Sequence, residues 1–211
     1  MAGAFDISVR ANVKEITKSL SALAYKQVAF ATAQALTALA KEVQADEIQN
    51  IAATFKKPKP FTQKSVGVRG ARKDTLTATV FVRPIAAKYL APYEDGGSHV
   101  LSGRALFNPK NIKLDQYGQL PRKVLDRLKA RKDIFIGPVK SKSGTINGVW
   151  QRIPAKRKQP AHLKLLIRFG DSLTVNKRLN YRSRAKALVD RRFNAVFGEA
   201  MAKALASARR G

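Results

Sequence analysis

Alternating apolar and polar positions at residues 75–82 predict the clearest strand of the chain. Apolar side chains at the even positions from Leu76 to Val82 alternate with threonines and a phenylalanine, so one face of the strand can be buried against a core. The pattern breaks at Arg83-Pro84, because proline has no N–H to donate to a neighbouring strand and restricts the residue before it. The sequence after this break predicts an aromatic and acidic turn at residues 89–97.

Apolar residues at three- and four-residue spacing predict two long helices, one near each end of the chain. Residues 13–53 contain neither proline nor glycine, and the pattern allows one helix or two helices with a bend near residues 22–26. The last helix shows the same spacing from Ala185 to Ala208, and Ser183 is its predicted N-cap. A shorter helix is predicted at residues 120–132, where Pro121 suits the first turn.

Five further segments have the composition of short strands: residues 3–10, 65–69, 133–139, 148–153 and 163–169. The second segment pairs with the strand at residues 76–82 across a turn, and the third and fourth form a hairpin with a basic tip. In the fifth, consecutive apolar residues from Leu165 to Ile167 favour burial of both faces. These elements predict an α+β fold, in which an antiparallel β-sheet or small sandwich is packed by the long N-terminal helix and a C-terminal helix.

Two irregular segments complete a single predicted domain over residues 1–211. The first is a Pro/Lys connector at residues 54–64, which ends the N-terminal helix because Pro58 and Pro60 cannot continue it. The second is an irregular insertion or arm at residues 101–120, punctuated by glycine, asparagine and proline. We therefore expect extended basic loops or arms around the sheet.

The net charge narrows the choice of partner. The chain has 41 Lys+Arg and 14 Asp+Glu, a net charge of +27, and residues 106–211 alone hold 26 basic and 6 acidic side chains. Such a field favours phosphate backbones, acidic protein surfaces or anionic lipid. No apolar run reaches the roughly 18 residues of a membrane span, so no membrane partner is expected. The candidates for contact with DNA or an acidic partner are Lys56, Lys57, Lys59, Arg122, Lys123, Arg127, Arg131, Lys140, Lys142, Lys156, Arg157 and Lys158.

The residues that most enzymes need are missing or scattered. The chain has no cysteine, and its two histidines, His99 and His162, lie far apart in the sequence. It contains no G-x-x-x-x-G-K-[ST], G-x-S-x-G or H-E-x-x-H motif, and its carboxylates form no recognisable acid/base pair. We therefore predict no catalytic residue, no metal site, no cofactor and no enzymatic activity. Two classes of protein remain, a structural subunit and a non-specific nucleic-acid-binding protein.

The predicted turn at residues 89–97 and the single tryptophan each allow two interpretations. The tyrosines of the turn can bury their rings while their hydroxyl groups reach polar partners, and its two carboxylates are a rare negative spot on a basic chain. The turn is either purely structural or a contact between subunits, and the tryptophan lies either in the core or at an interface. The candidates for contact between subunits are Tyr89, Pro92, Tyr93, Glu94, Asp95 and Trp150.

The order of these features resembles the neck or tail-completion proteins of tailed bacteriophages, which join head to tail. The shared features are the alanine-rich N-terminal helix, the proline-containing connector, the alternating strand and the sequence YLAPYEDGG at residues 89–97. That group commonly has a Y-A-P-Y-x-E-x-G-type loop here, from which this chain departs by the inserted Leu90 and by Asp95-Gly96-Gly97. The basic second half, with Trp150-Gln151-Arg152 at the end of a hairpin and a closing helix, is similar to the minor tail protein Z type.

The resemblance implies a structural virion protein of the phage neck and tail, made in the host cytoplasm. Such a protein would form a homo-oligomeric ring of about six or twelve copies, since repeated identical contacts close into rings. The implied partners are portal or adaptor subunits, tail subunits and the packaged DNA in the channel. The alternative from charge alone is a non-specific nucleic-acid-binding basic protein.

Overall fold

The computed structural model of the chain describes residues 6–10, 22–99, 106–141, 144–157, 159–170 and 173–208. The order of its elements is β1 (Asp6–Arg10), α1 (Ala22–Thr54), α2 (Pro60–Gln63), β2 (Val66–Arg69), β3 (Thr77–Val82), α3 (Pro84–Asp95), β4 (Gly97–His99), β5 (Leu106–Pro109), α4 (Val124–Lys129), β6 (Ile134–Ser141), β7 (Gly144–Ile153), β8 (His162–Gly170), β9 (Leu173–Val175) and α5 (Tyr181–Ala208). The predicted α+β class is confirmed, with antiparallel sheets and long helices near both ends.

The elements group into two compact units, and the single domain over residues 1–211 stays a prediction. The terminal unit comprises Met1–Gly96 and Asn176–Gly211, and the central unit comprises Gly97–Val175. The division follows from local pairing, because every strand from β4 to β9 pairs only with strands of the central unit among the described residues.

The terminal unit is a three-stranded antiparallel sheet, of order β1-β3-β2, packed on α1. Ala78, Val80 and Val82 of β3 are buried while the residues between them are half-buried, as their alternation predicts. The predicted strands at residues 3–10 and 65–69 are confirmed as β1 and β2, within the described residues. The helix α1 also packs along α5, so its apolar residues such as Leu36 and Leu39 join the sheet and α5 in one core.

The predicted turn at residues 89–97 is wrong, because most of it belongs to the helix α3. Pro84 lies in the first turn of this helix, where its missing N–H would have no partner within the helix. Pro92 removes one internal hydrogen bond, but buried residues at helical spacing, including Leu90, hold α3 against the core. The helix ends at Gly96, whose φ of +79° suits glycine.

The described part of the N-terminal helix agrees with the prediction: α1 is continuous from residue 22 to residue 54, and residues 13–21 of the predicted helix lie outside the described residues. Two other helix boundaries differ from the prediction. The helix α4 is shorter than the predicted helix at residues 120–132, because it follows Lys123 in the left-handed conformation with φ of +55°. The helix α5 begins at Tyr181 and not after the predicted cap Ser183.

The two segments predicted to be irregular each contain a short regular element. The connector at residues 54–64 follows the end of α1, as predicted, but includes the single-turn helix α2. The insertion at residues 101–120 includes β5, which pairs with β8 from Leu106↔Gly170 to Pro109↔Ile167. Residues 101–105 of this insertion lie outside the described residues.

The central unit contains a four-stranded antiparallel sheet, of order β5-β8-β7-β6, and the two-stranded ribbon β4-β9. The predicted hairpin at residues 133–139 and 148–153 is confirmed as β6 and β7. The buried cluster of this unit is small: Leu128 of α4, Val149 of β7, and Leu166 and Ile167 of β8. The sequence favours burial of both faces of β8 from Leu165 to Ile167, and the structure buries the neighbouring residues Leu166 and Ile167. A bulge opposite Val149 and Trp150 makes Leu166 the extra residue of this strand. Elsewhere in the strand, Leu163 is 42% exposed.

Candidate functional site

The carboxylate of Glu94 in α3 caps the N-terminus of α5. Its Oε2 accepts a hydrogen bond from the backbone N–H of Tyr181 at 2.6 Å, and its Oε1 accepts one from the N–H of Arg182 at 3.2 Å. These N–H groups have no partner within the helix, and the positive end of the helix dipole favours a negative group. Glu94 is only 2% exposed, so this predicted contact residue is an internal cap and is not presented to a neighbouring subunit.

The other residues of the predicted turn are also engaged within the terminal unit. The guanidinium of Arg178 lies 4.8 Å from the ring centroid of Tyr93, whose carbonyl oxygen accepts the N–H groups of Arg178 and Leu179, both at 2.9 Å. The hydroxyl group of Tyr89 is 2.9 Å from Thr62 Oγ1. Half-buried Pro92 lies inside α3.

Asp95 is the one residue of this group with an exposed side chain. Its Oδ1 accepts a hydrogen bond from Arg182 Nη1 at 2.9 Å, and both side chains are about half exposed. Of the six residues predicted to contact another subunit, Asp95 is therefore the one best placed to do so. Even there, the carboxylate already has a partner in the same chain.

A second carboxylate, Glu47 of α1, is fully buried beside this cap. Its Oε2 accepts a hydrogen bond from Asn50 Nδ2 at 3.0 Å, and Arg184 Nε lies 3.8 Å from its Oε1. Burial raises the pKa of Glu47 to about 7, although the hydrogen bond from Asn50 and the charge of Arg184 act in the opposite direction. Burial also raises the pKa of the Tyr181 hydroxyl, with further contributions from nearby carboxylates that include Glu47.

Glu47 is not among the residues predicted from the sequence, because a glutamate in an amphipathic helix is usually on the solvent-exposed face. Its spacing is informative in retrospect, since Glu47 lies four residues after Val43 and four residues before Ile51, both of which are buried. The Glu47 side chain is fully buried, so its carboxylate does not reach the surface of the terminal unit. We therefore expect Glu47 to influence the stability of the terminal unit and not to contact a substrate or ligand.

The described residues show no constellation for metal chemistry or membrane insertion. Within these ranges, no group of three or more His, Cys, Asp or Glu side chains is placed to hold a metal ion. Among the same residues, no helix combines the length and the apolar character that a membrane span requires. The candidate functional surfaces are therefore those that bear unbalanced charge or exposed apolar groups.

The basic residues of the connector lie between α1 and α2. Lys56 and Lys57 are exposed and Lys59 is half-buried. Two large apolar side chains in the same region are also exposed, Phe61 of α2 and Ile85 of α3. These elements are held together by the hydrogen bond between Thr62 and Tyr89 noted above, so the region is a basic surface with apolar groups on it.

The predicted basic residues of the central unit occupy three separate places. Arg122, Lys123 and Arg127 are exposed at α4, Lys140 is exposed on β6, and Lys156 and Arg157 are exposed in the loop after β7. Arg131 already pairs with Asp133, through bonds of 3.0 and 2.6 Å, and this pair holds the pKa of Asp133 down at about 2. Lys142 and Lys158 lie outside the described residues.

Trp150 is an internal residue of the central unit. It is 7% exposed, and its Nε1–H donates to the carbonyl oxygen of Gly137 at 3.2 Å. Phe135 lies opposite it on β6, and the Arg152 guanidinium is 5.8 Å from the centroid of the Phe135 ring. Of the two interpretations of Trp150, the structure therefore favours a packing role.

The hairpin β6–β7 continues past the last residue pair between β7 and β8, while β8 itself continues to Gly170 in its pairing with β5. Pairing between β7 and β8 ends at Gly148↔Arg168, whereas pairing between β6 and β7 continues for four more residue pairs, from Pro138↔Asn147 to Ser141↔Gly144. We call residues 138–147 the β6–β7 ribbon. Within the described residues, no third strand pairs with it.

Comparison of the whole chain with protein-family models, with curated proteins and with solved structures finds no significant match.

Proposed function

We propose that the chain is a structural subunit of a phage neck or tail-completion complex, in which further copies form a ring that joins head to tail. The observation that carries this proposal is the β6–β7 ribbon, in which the two strands stay paired after β7 has separated from β8. A ribbon with open edges can add to the sheet of a neighbouring copy, which is a common way of linking protein subunits.

The small core of the central unit supports the same proposal. Among the described residues, its buried cluster contains four residues with six half-buried apolar residues packed against them, while Phe107, Ile136 and Leu163 of the same unit are exposed. A unit of this size gains little stability from so few buried side chains. Burial of the exposed apolar residues against a neighbouring subunit would supply the missing contacts.

The charge indicates what the ring would meet. Like charges on neighbouring copies repel each other, so a subunit with a net charge of +27 needs anionic surfaces around it. Acidic faces of portal, adaptor or tail subunits and the packaged DNA in the channel would meet this need. The alternative, a non-specific nucleic-acid-binding protein, is favoured by the exposed cations Arg122, Lys123 and Arg127 at α4.

The test is to remove the ribbon and measure assembly. Replacing residues 138–147 with Asn-Gly would join Gly137 to Gly148, which already face each other in register, through a turn that suits a hairpin. We expect mass photometry to show rings for the full chain and monomers for the shortened chain. A Lys140→Ser variant, which keeps the ribbon backbone, is the matched control and should still form rings.

Two further results decide between the proposed function and its alternative. Particles produced without this protein should show filled heads without tails, or tails that fail to join, in negative-stain images. If instead the full chain stays monomeric with portal or adaptor protein, and binds DNA at micromolar or lower concentrations with a steep dependence on salt, the nucleic-acid alternative replaces the structural one.

A further inference from the structure

The helix α1 has a second face on which exposed side chains such as Phe30 and Lys41 lie beside the buried Ala33. The residues on this face recur at helical spacing: Phe30, Ala33, Gln34, Thr37, Ala38 and Lys41. Small side chains at three of these positions leave a depression between Phe30 at one end and Lys41 at the other. Eleven residues of helix separate the two ends, a length of about 16 Å, which matches about three turns of a second helix.

The turn between β2 and β3 forms the opposite wall of this depression. Ala71, Arg72, Lys73 and Asp74 line it together with α1, and the volume of the open depression is about 850 Å³. Thr37 Oγ1 accepts the backbone N–H of Ala71 at 3.0 Å, which fixes the turn against α1. We call this depression the α1 groove.

The lining of the α1 groove combines an apolar floor with a basic rim. Phe30 is 51% exposed, although large aromatic side chains are usually buried. Lys41, Arg72 and Lys73 are exposed at the rim, where Asp74 is the single acidic residue of the lining. The groove therefore offers apolar contact along its length and positive charge at its edges.

We propose that the α1 groove binds an acidic amphipathic helix of another protein. The apolar face of that helix would lie against Phe30 and the alanines of α1, and its carboxylates would meet Lys41, Arg72 and Lys73. An apolar floor offers nothing to a phosphate backbone, so the groove fits a protein segment better than DNA. A second copy of the chain would bring further positive charge to the basic rim, which disfavours self-association there.

This inference does not depend on the proposed function, because it concerns the terminal unit and can be tested on the isolated full chain. The probe is a fluorescein-labelled peptide of 15 residues, with leucines along one helical face and glutamates elsewhere. Its control is a peptide of the same composition in which the leucines do not share a face. We expect fluorescence anisotropy to give micromolar affinity for the first peptide and at least about tenfold weaker binding for the second.

Matched variants test whether the peptide binds in the α1 groove. Ala38→Trp fills the groove and Lys41→Glu reverses a rim charge, and each should weaken binding of the first peptide by at least about tenfold. The controls, Ala195→Trp and Lys203→Glu, change exposed residues of α5 outside the groove and should bind within about twofold of the unaltered chain. Circular dichroism would confirm that all four variants are folded.

Several outcomes would overturn the inference. Equal affinity for the two peptides, unchanged binding by Ala38→Trp, or no binding by the unaltered chain would each show that no amphipathic helix enters the groove. If sedimentation instead shows dimers that Ala38→Trp abolishes, a second copy is the occupant. If a DNA duplex binds in a manner that Ala38→Trp abolishes, the groove belongs to a nucleic-acid site.

Discussion

Replacing Glu94 with alanine tests whether the contact between α3 and α5 stabilises the terminal unit. The change removes the acceptor of the Tyr181 and Arg182 N–H groups, and Tyr181 is fully buried. A hydrogen bond to a charged group contributes about 1.5–3 kcal/mol, and loss of an N-cap costs about 1–2 kcal/mol. These figures describe overlapping effects, so we expect Glu94→Ala to lower the free energy of unfolding by about 3 kcal/mol.

Asp95→Ala is the matched control for this change. Asp95 is the neighbouring carboxylate and bonds the same arginine, but it is 53% exposed and the Arg182 side chain is 51% exposed. An exposed ion pair of this kind contributes less than about 1 kcal/mol. The two variants therefore separate the buried cap from the general effect of removing a negative charge near α5.

The assay is urea denaturation followed by two signals. Far-UV circular dichroism reports mainly on the terminal unit, which contains the long helices α1, α3 and α5. Fluorescence of Trp150, the single tryptophan, reports on the central unit. If Glu94→Ala shifts the circular dichroism transition no further than Asp95→Ala does, the carboxylate cap does not stabilise α5 and the reasoning fails.

Three further predictions concern stability. Gly198→Ala should raise the free energy of unfolding by about 0.5–1 kcal/mol in urea denaturation, because glycine in a helix loses more conformational entropy on folding than alanine does. The added Cβ meets no atom within 4 Å. A loss of stability would contradict this prediction. Gly148→Ala places a Cβ 2.3 Å from the Ile167 carbonyl oxygen, so the free energy of unfolding should fall by at least about 2 kcal/mol. The transition followed by Trp150 fluorescence should then move to lower urea concentration, and an unchanged transition would refute the close approach. Glu47 has a pKa of about 7 in the folded protein and an ordinary value of 4.5, so between these pH values the folded state holds a proton that the unfolded state has lost. The free energy of unfolding should therefore fall as the pH rises from 4.5 through 7, by up to about 3 kcal/mol. Urea denaturation at pH 5 and pH 8 should show this fall reduced in Glu47→Gln, and an equal fall in both proteins would assign it to other groups.

The strands could be predicted from the sequence because their signals are local. The alternation in β3 gives both its extent and its buried face, and the turn composition at residues 70–74 gives its pairing with β2. The β6–β7 hairpin is predictable for the same reason. The alternation of apolar and polar residues does not predict the bulge opposite Val149 and Trp150, because the bulge depends on how β8 fits against its neighbouring strands.

The helix α3 could not be predicted in the same way. Pro84, Pro92 and Gly96-Gly97 are all turn signals, and they outweigh the helical spacing of Leu90 and its buried neighbours when only the sequence is considered. The helix forms because tertiary burial compensates for the missing hydrogen bond at Pro92. Glu94 then finds its partners 87 and 88 residues later in the chain, a distance over which no sequence pattern is informative.

The ion pairs within the chain balance only a small part of its positive charge. Ion pairs with arginine among the described residues include Glu42 with Arg192, Asp46 with Arg184 and Asp95 with Arg182 in the terminal unit, and Asp133 with Arg131 in the central unit. Even if every one of the 14 acidic residues neutralised a cation, 27 Lys and Arg would remain. The surplus cannot be balanced inside one chain, and identical copies only add to it, so any ring of this protein must draw its balancing charge from a different molecule.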